Sequence, residues 1–160
     1  MTVSIRAFEE RDRDAVIALA RELQAHEFPM FDRLKPPDSI GGWYIDHLQS
    51  ECGKKQGTIL VAEEDGRISG YATILTHIAA DDVDEELDYV FAQVGDLAVT
   101  EKNRGRGIGT ALLAECERRA RLAGRDELRI GVLARNDGAR HAYDRFGFTD
   151  FAVSMRKRLG

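Results

Sequence analysis

Three glycines at alternate positions are the most informative feature of the sequence. Gly105, Gly107 and Gly109 lie between a strand-like apolar stretch and an amphipathic, helix-like one, with Arg104 and Arg106 interleaved. Glycine lets the backbone turn sharply and approach a ligand closely, and the free N–H groups of a helix's first turn attract anions. We therefore predict a phosphate site at residues 104–110, here called the glycine turn. A flexible loop that holds no ligand is the alternative.

The glycine turn differs from the two common nucleotide motifs. A Walker loop requires Lys-Ser or Lys-Thr after its last glycine, whereas Thr110 directly follows Gly109 here. A dinucleotide-binding turn has the pattern G-x-G-x-x-G near the start of a large doubly wound sheet. This chain has G-x-G-x-G about two-thirds of the way along 160 residues. The pattern therefore indicates a different phosphate-bearing ligand.

A second segment begins at Asn136, contains Tyr143 and ends in Phe-Gly-Phe. Together, the two segments resemble the GNAT superfamily of acyl-CoA-dependent N-acyltransferases. The glycine turn is similar to that family's R/Q-x-x-G-x-G/A pyrophosphate loop, with Arg104, Gly107 and Gly109 in its positions. The second segment is similar to the family's asparagine, short helix, tyrosine and Gly-Phe ending. The order of the predicted elements along the whole chain is similar too.

The resemblance implies an α/β fold with a central mixed, mostly antiparallel sheet and helices on both faces. In the family, a bulge splays the fourth strand from the fifth, and the pantetheine arm of the co-substrate acetyl-CoA fills the gap. Gly95 is compatible with such a bulge and equally with a close helix contact. The residues implied to bind acetyl-CoA are Leu97, Ala98, Val99, Arg104, Gly105, Arg106, Gly107, Ile108, Gly109, Thr110, Asn136 and Tyr143. For Asn136, a helix N-cap is the alternative.

Two residues are candidates for proton transfer. Tyr143 matches the family tyrosine near the coenzyme sulfur, where it would protonate the leaving thiolate; a tyrosine packed in the core is the alternative. An amine with a pKa near about 10.4 is mostly protonated at pH 7 and must lose a proton before it attacks. The resemblance makes Asp96 a candidate base that acts through water, and burial would raise its pKa. An ion-paired aspartate that orients a loop is the alternative.

The resemblance implies that the first two helices and the loop before the fourth strand form the acceptor pocket. Candidates for acceptor binding are Phe28, Trp43, Tyr44 and Asp88. The acidic segment, residues 81–88, has six acids in eight positions: Asp81, Asp82, Asp84, Glu85, Glu86 and Asp88. An acidic rim over aromatic walls suits a cationic amine. A solvated acidic loop is the alternative.

Composition limits the class of protein. A chain of 160 residues with 43% hydrophobic and 32% charged residues suits one folded domain over residues 1–160. Its net charge of −5 argues against non-specific nucleic-acid binding. Residues 102–160 hold 14 Lys and Arg against 7 Asp and Glu, while residues 1–101 hold 9 against 21. On the resemblance, the basic half would face the coenzyme phosphates.

Targeting and redox features are sparse. No apolar run approaches the roughly 20 residues of a membrane span, and no signal-peptide core follows Met1. Cys52 and Cys116 are too few for a disulfide framework or a zinc site. We expect a cytoplasmic protein that binds neither a metal nor a membrane. Edge strands near the C-terminus are compatible with a homodimer.

These functional residues need a scaffold, which the apolar periodicity and the turn residues outline. The predicted strands cover residues 2–8, 58–63, 67–78, 90–99, 128–133 and 148–155. The predicted helices are one whose N-cap is Asp12, followed by 39–50, 108–122 and 137–145. Residues 53–57 are predicted as a loop, and Asp65-Gly66 as a hairpin turn.

The sequence thus predicts an N-acetyltransferase that moves an acetyl group from acetyl-CoA to a primary amine by direct attack in a ternary complex. The expected acceptor is a small cationic metabolite or antibiotic-like amine. Two alternatives stay open: a protein or peptide acceptor, and a regulatory module that binds acetyl-CoA without turnover. Cys116 falls on the packed side of a helix, which argues against a thiol intermediate.

Overall fold

The structure is a computed structural model of the chain, and it describes residues 2–81 and 83–160. Asp82, one of the acids of the acidic segment, lies outside the described residues. The regular elements are β1 (Ser4–Ala7), α1 (Arg13–Glu27), α2 (Gly42–Lys54), β2 (Gly57–Glu64), β3 (Arg67–Ala79), β4 (Val90–Val99), α3 (Ile108–Leu122), β5 (Leu128–Ile130) and α4 (Asp137–Phe146).

The five strands form one sheet in the order β1-β2-β3-β4-β5. The first three pairings are antiparallel, and β4 pairs with β5 in parallel. That last pairing ends at Val94 and Ile130, although β4 continues to Val99. The two strands therefore diverge beyond Val94, and we call this opening the fork. The predicted mixed sheet with a splay between its fourth and fifth strands is confirmed.

A β-bulge marks the start of the fork. The register between β3 and β4 slips by one residue, so that Gly95 and Asp96 lie opposite Thr73 alone. The backbone N–H of Asp96 donates to Thr73 Oγ1 at 2.8 Å, instead of to a strand carbonyl. A Cβ at Gly95 would lie 2.5 Å from the same hydroxyl oxygen, so only glycine fits. Gly95 thus belongs to a bulge, and its close neighbour is a strand rather than a helix.

Buried side chains form one cluster on each face of the sheet, because neighbouring strand residues point to opposite faces. On one face, Ile59 and Val61 of β2 pack with residues of α1 and α2. On the other, Leu60 and Ala62 pack with α3. The core of the second face has α3 at its centre and comprises Leu60, Ala62, Ala72, Ile74, Ala92, Val94, Ile108, Leu112, Leu113, Cys116 and Ala120. Helices cover both faces, as the sequence predicts.

Helix α3 has the predicted bounds, and glycines at both of its ends explain them. Gly107, its N-cap, has a φ of +83°, and Gly124 beyond its C-terminus has a φ of +78°. L-residues with a side chain rarely adopt such angles. The chain can therefore enter and leave α3 abruptly, which places the helix N-terminus directly beside the fork.

One predicted strand is absent from the described residues. Residues 149–160 contain no regular secondary structure and are exposed, and β5 ends at Ile130 rather than near residue 133. The alternation of Phe151, Val153 and Met155 is a local preference, whereas a strand also needs a backbone partner. Phe151 instead lies against the Arg129 guanidinium, which is 4.5 Å from the ring centre. The prediction of a closing strand over residues 148–155 is therefore wrong.

The start of α2 and the capping of α1 also differ from their predictions. Residues Pro37–Ser39 form a 3-10 turn, so α2 begins three residues later than predicted, and it extends through the first two residues of the predicted 53–57 loop. Asp12 occupies the N-cap position of α1 but does not cap it. Its carboxylate instead accepts two hydrogen bonds from Arg6 and one from the Glu9 N–H.

Within residues 2–81 and 83–160, no helix has the length and apolar character that a membrane span requires. Over the same residues, no group of three or more His, Cys, Asp or Glu side chains is arranged to hold a metal ion.

Candidate active site

A cavity of about 1050 Å³ lies in the fork. Its walls are the second half of α1, the diverging part of β4, the glycine turn, the start of α3, the loop after β5 and α4. Most of the predicted acetyl-CoA contacts are among the lining residues: Leu97, Ala98, Val99, Arg104, Gly105, Gly107, Ile108, Gly109, Thr110, Asn136 and Tyr143. Segments that are distant in sequence thus meet at one cavity.

The glycine turn provides donors for an anion. Gly107 accepts the first backbone hydrogen bond of α3, from Ala111, and the N–H groups before Ala111 belong to the helix's unpaired first turn. The helix dipole adds positive potential there. Arg104 stays beside the turn because its Nε donates to the Val99 carbonyl at 3.0 Å. This wall of the cavity therefore suits a phosphate or pyrophosphate.

Arg106 is the predicted coenzyme contact that does not line the cavity. Its guanidinium forms a 2.9 Å ion pair with Glu64, which is 9% exposed. Leaving that carboxylate without a partner would be unfavourable, so the pair holds Arg106 away from the cavity.

Tyr143 lies on α4 and reaches the cavity wall. Its ring packs edge-on against Phe148 with a centroid separation of 6.0 Å, which fixes the side chain. Among the described residues, none makes a hydrogen bond with its hydroxyl group. Burial, followed by the nearby charge of Glu27, raises the pKa of Tyr143 to about 12. The hydroxyl group therefore keeps its proton at neutral pH.

Asp96 is the centre of a hydrogen-bond cluster at the bulge. Its Oδ2 accepts hydrogen bonds from the hydroxyl groups of Tyr44, at 2.5 Å, and Tyr71, at 2.7 Å. Burial and the charge of Asp96 raise the pKa values of both phenols, so both remain donors. Sequence analysis predicts Tyr44 and Asp96 at the site, but not Tyr71, whose position in a buried strand gives no functional signal.

Asn136 is the N-cap of α4. Its Oδ1 accepts the Ala139 N–H at 3.3 Å, and the side chain is buried at the cavity wall. The N-cap alternative is thus observed, and the predicted contact with pantetheine stays a prediction.

Glu27 also lines the cavity, and the sequence analysis missed it. It is the last residue of α1, half-buried, on the same cavity as Asp96 and Tyr143. Burial raises the pKa of Glu27, the negative charge of Asp96 raises it further, and His26 opposes the shift. A glutamate before Phe28-Pro29 resembles any other helix end, so only the packing of α1 against β4 identifies it.

The other predicted acceptor residues lie outside the cavity. Trp43 donates its indole N–H to the Ser39 carbonyl at 2.8 Å and is 48% exposed. Phe28 is exposed as well, and Asp88 lies in an exposed loop. Of the predicted aromatic wall, the structure brings only Tyr44 to the cavity among the described residues. Any contact that Phe28, Trp43 or Asp88 makes with an acceptor would be at the rim of the cavity.

Both cysteines lie where a thiolate is disfavoured. Cys116 is fully buried in the α3 core, and burial raises its pKa to about 12. Burial likewise raises the pKa of Cys52 to about 11. Neither residue lines the cavity, so a thiol nucleophile finds no support.

The mixed sheet opens into the fork beside the N-terminus of α3. An α/β protein of this class can hold an extended anionic ligand between two strands. Residues 17–148 match the family model described as the acetyltransferase (GNAT) family. The chain therefore belongs to the GNAT acetyltransferase family, whose members generally use acetyl-CoA as co-substrate. The resemblance seen in the sequence is confirmed.

Relatives support the same family. A protein from Thermobispora bispora named mycothiol acetyltransferase is 28% identical over 161 residues, which cover 98% of this chain and 50% of that protein. The chain thus spans about half the length of this curated relative. A mutant of the BH1408 protein from Bacillus halodurans has a solved structure with a TM-score of 0.86 and 21% identity, covering 98% of this chain and 99% of that one.

Glucosamine-6-phosphate N-acetyltransferase from Arabidopsis thaliana also matches, with a TM-score of 0.68 and 16% identity over 100% of both chains. At these identities, the solved structures establish the similarity of fold alone. The acceptor of the present protein must therefore be argued from its own cavity.

Proposed function

We propose that this protein transfers the acetyl group of acetyl-CoA to the primary amine of a small cationic molecule, by direct attack in a ternary complex. One observation carries the proposal: the same cavity is lined by an anion-binding turn, a tyrosine hydroxyl group without a partner among the described residues, and the carboxylates of Glu22, Glu27 and Asp96. An acetyl-CoA-dependent transfer to an amine needs these three kinds of group.

The fork suits the coenzyme. The glycine turn would hold the pyrophosphate through the N–H groups of Ile108, Gly109 and Thr110, supported by Arg104. The backbone of residues 97–99 has no strand partner on the β5 side, because the β4-β5 pairing ends at Val94. Pantetheine contains two amide groups, which would bond to that backbone. The thioester would then lie near Tyr143.

In the reaction, the amine nitrogen attacks the thioester carbonyl carbon, and the C–S bond breaks. Tyr143 donates its proton to the departing CoA sulfur, because protonation makes the sulfur a better leaving group as the tetrahedral intermediate collapses. An ammonium acceptor must lose two protons to become the amide. A carboxylate takes the first proton before the attack, and the sequence predicts Asp96 for this role. The second proton replaces the one that Tyr143 donates.

The cavity favours a cationic acceptor. Asp96 and Glu27 place two carboxylates near the proposed thioester position, while Arg104 lies at the glycine turn. An ammonium group would gain electrostatic stabilisation beside the carboxylates. The described acids of the acidic segment are in an exposed loop, where they would attract polycations to the opening.

The test is CoA release from acetyl-CoA with a panel of polyamines, aminoglycosides, amino acids and short peptides. We expect turnover of the polycations, with kcat/KM decreasing as salt is added because salt screens the attraction. Turnover of peptides alone would contradict the small-molecule acceptor and support a protein one. No turnover, together with tight binding of acetyl-CoA to the same preparation, would instead indicate the regulatory module.

A further inference from the structure

The carboxylates that line the cavity, those of Glu22, Glu27 and Asp96, differ in how they are bonded. Both phenol hydroxyl groups of the Asp96 cluster donate to one carboxylate oxygen, and the backbone N–H of Asp96 is bound to Thr73. A carboxylate that accepts such bonds is held in one orientation. Among the described residues, none makes a hydrogen bond or an ion pair with the side chain of Glu27.

The surroundings of Glu27 disfavour its negative charge. It is half-buried, and it lies at the C-terminal end of α1, where the helix dipole is negative. The groups that face it are Asp96 of β4 and the phenols of Tyr44 on α2, Tyr71 on β3 and Tyr143 on α4, whose pKa values the charge of Glu27 raises. The basic groups nearby are the adjacent His26, Arg145 on the cavity wall, and Arg135, which donates to the Pro29 carbonyl.

We propose that Glu27, rather than Asp96, is the general base that takes the first proton from the acceptor ammonium, and that Asp96, which is bound to Tyr44 and Tyr71, is a positioning residue. This inference rests on the proposed function. Glu27 has lone pairs free to receive a proton, and its position on the cavity wall gives an acceptor direct access. Asp96 cannot turn toward the amine without breaking its bonds to Tyr44 and Tyr71.

The proton balance is complete with Glu27, Tyr143 and solvent. The ammonium N–H bond breaks, its proton moves to a Glu27 carboxylate oxygen, and the free amine attacks the thioester carbonyl. Collapse of the tetrahedral intermediate breaks the C–S bond, and the sulfur takes the Tyr143 proton. A second proton leaves the nitrogen and restores Tyr143, and Glu27 releases its own proton to solvent, so that one net proton is released per turnover.

The test compares kcat and kcat/KM as a function of pH for Glu27→Gln and Asp96→Asn, with two acceptors. One acceptor is an aliphatic primary amine, and the other is an amine whose pKa lies below the assay pH, so that it needs no deprotonation before attack. We expect Glu27→Gln to lower kcat by about 10²-fold or more for the aliphatic amine. It should affect the weakly basic amine far less and leave the Kd of acetyl-CoA unchanged.

Asp96→Asn should move the acidic limb of kcat/KM to lower pH, because Glu27 loses the like charge that raises its pKa. Glu22→Gln is the matched control on α1: Glu22 lines the same cavity, but its carboxylate accepts hydrogen bonds from Thr100 Oγ1 and the Glu101 N–H, so the acidic limb of the pH profile should stay in place. If Asp96→Asn loses activity while Glu27→Gln keeps the acidic limb of the wild-type kcat/KM profile, Glu27 is not the general base. The proposed function would remain intact in that case. If the wild-type enzyme acetylates no amine, the proposed function fails and this assignment with it.

Discussion

At the scale of single residues, Glu27 is a carboxylate placed where its charge weakens the fold. The dipole of α1, partial burial and the charge of Asp96 all oppose ionisation at this position. The same features make it a stronger base than an exposed glutamate. Proteins commonly retain a destabilising residue where function needs it.

Replacing Glu27 by Gln should therefore stabilise the protein at neutral pH. The pKa of this carboxyl is higher in the folded than in the unfolded chain, so wild-type stability falls as pH rises from the usual glutamate pKa through the folded value. Glu27→Gln should gain about 0.5–1 kcal/mol at pH 7 to 8 and nothing near pH 4. Urea unfolding at the two pH values measures this difference, and an equal gain at both would contradict the raised pKa.

Tyr143→Phe tests the proton donor. The ring should still pack against Phe148, and the hydroxyl group has no partner among the described residues to lose, so thermal stability should change little. We expect kcat to fall by about 10²–10⁴-fold while the Kd of acetyl-CoA is unchanged. Stopped-flow kinetics and calorimetry give the two values, and an unchanged kcat would remove Tyr143 from the reaction.

Single residues also mark the limit of what the sequence reveals about the site. Tyr143, Asp96 and the glycine turn belong to recognisable motifs, and all of them meet at one cavity. Glu27 belongs to no motif, because a base needs only a carboxylate in the right place. Arg106 illustrates the converse: it lies within a motif, yet its pairing with Glu64 depends on the neighbouring strand.

At the scale of elements, α3 has a left-handed glycine at each end, and only one end lines the cavity. Gly107→Ala and Gly124→Ala should each lower the free energy of unfolding by about 1–2 kcal/mol, because the backbone of an alanine is strained at positive φ. Only Gly107→Ala should also weaken acetyl-CoA binding, because its methyl group would lie beside the proposed pyrophosphate. Calorimetric titration of both variants with acetyl-CoA separates a loss of affinity from a loss of stability. An equal loss of affinity in both variants would refute the N-terminus of α3 as the pyrophosphate site.

Some of the predicted strands and helices are present and one predicted strand is absent, and the difference has a physical reason. The hairpin β2-β3, strand β4 and helix α3 carry strong periodicity between clear turn signals, and all are present. The closing strand over residues 148–155 has strand periodicity as well, yet pairing depends on a free neighbour, and β5 has only three residues. Periodicity is a property of one segment, whereas a strand forms only when a second segment pairs with the first.

At the scale of the whole molecule, the exposed alternating residues Phe151, Val153 and Met155 bear on the predicted homodimer. Val153 and Met155 are 79% and 90% exposed, and they follow Phe151, which lies against Arg129 of β5. We expect concentration-dependent self-association that the double variant Val153→Asp with Met155→Asp reduces, with kcat unchanged because neither residue lines the cavity. Sedimentation measures the association, and a wild-type monomer at high concentration would rule out this dimer.

The fork has a consequence for how the molecule survives in a crowded solution. An unpaired strand edge normally invites a second chain to add to it, which is a route to aggregation. The unpaired end of β4 instead lines a cavity whose walls also include α1 and α4, so these helices restrict the addition of a further strand. The protein can thus keep strand backbone available for recognition while its neighbours in solution cannot reach it.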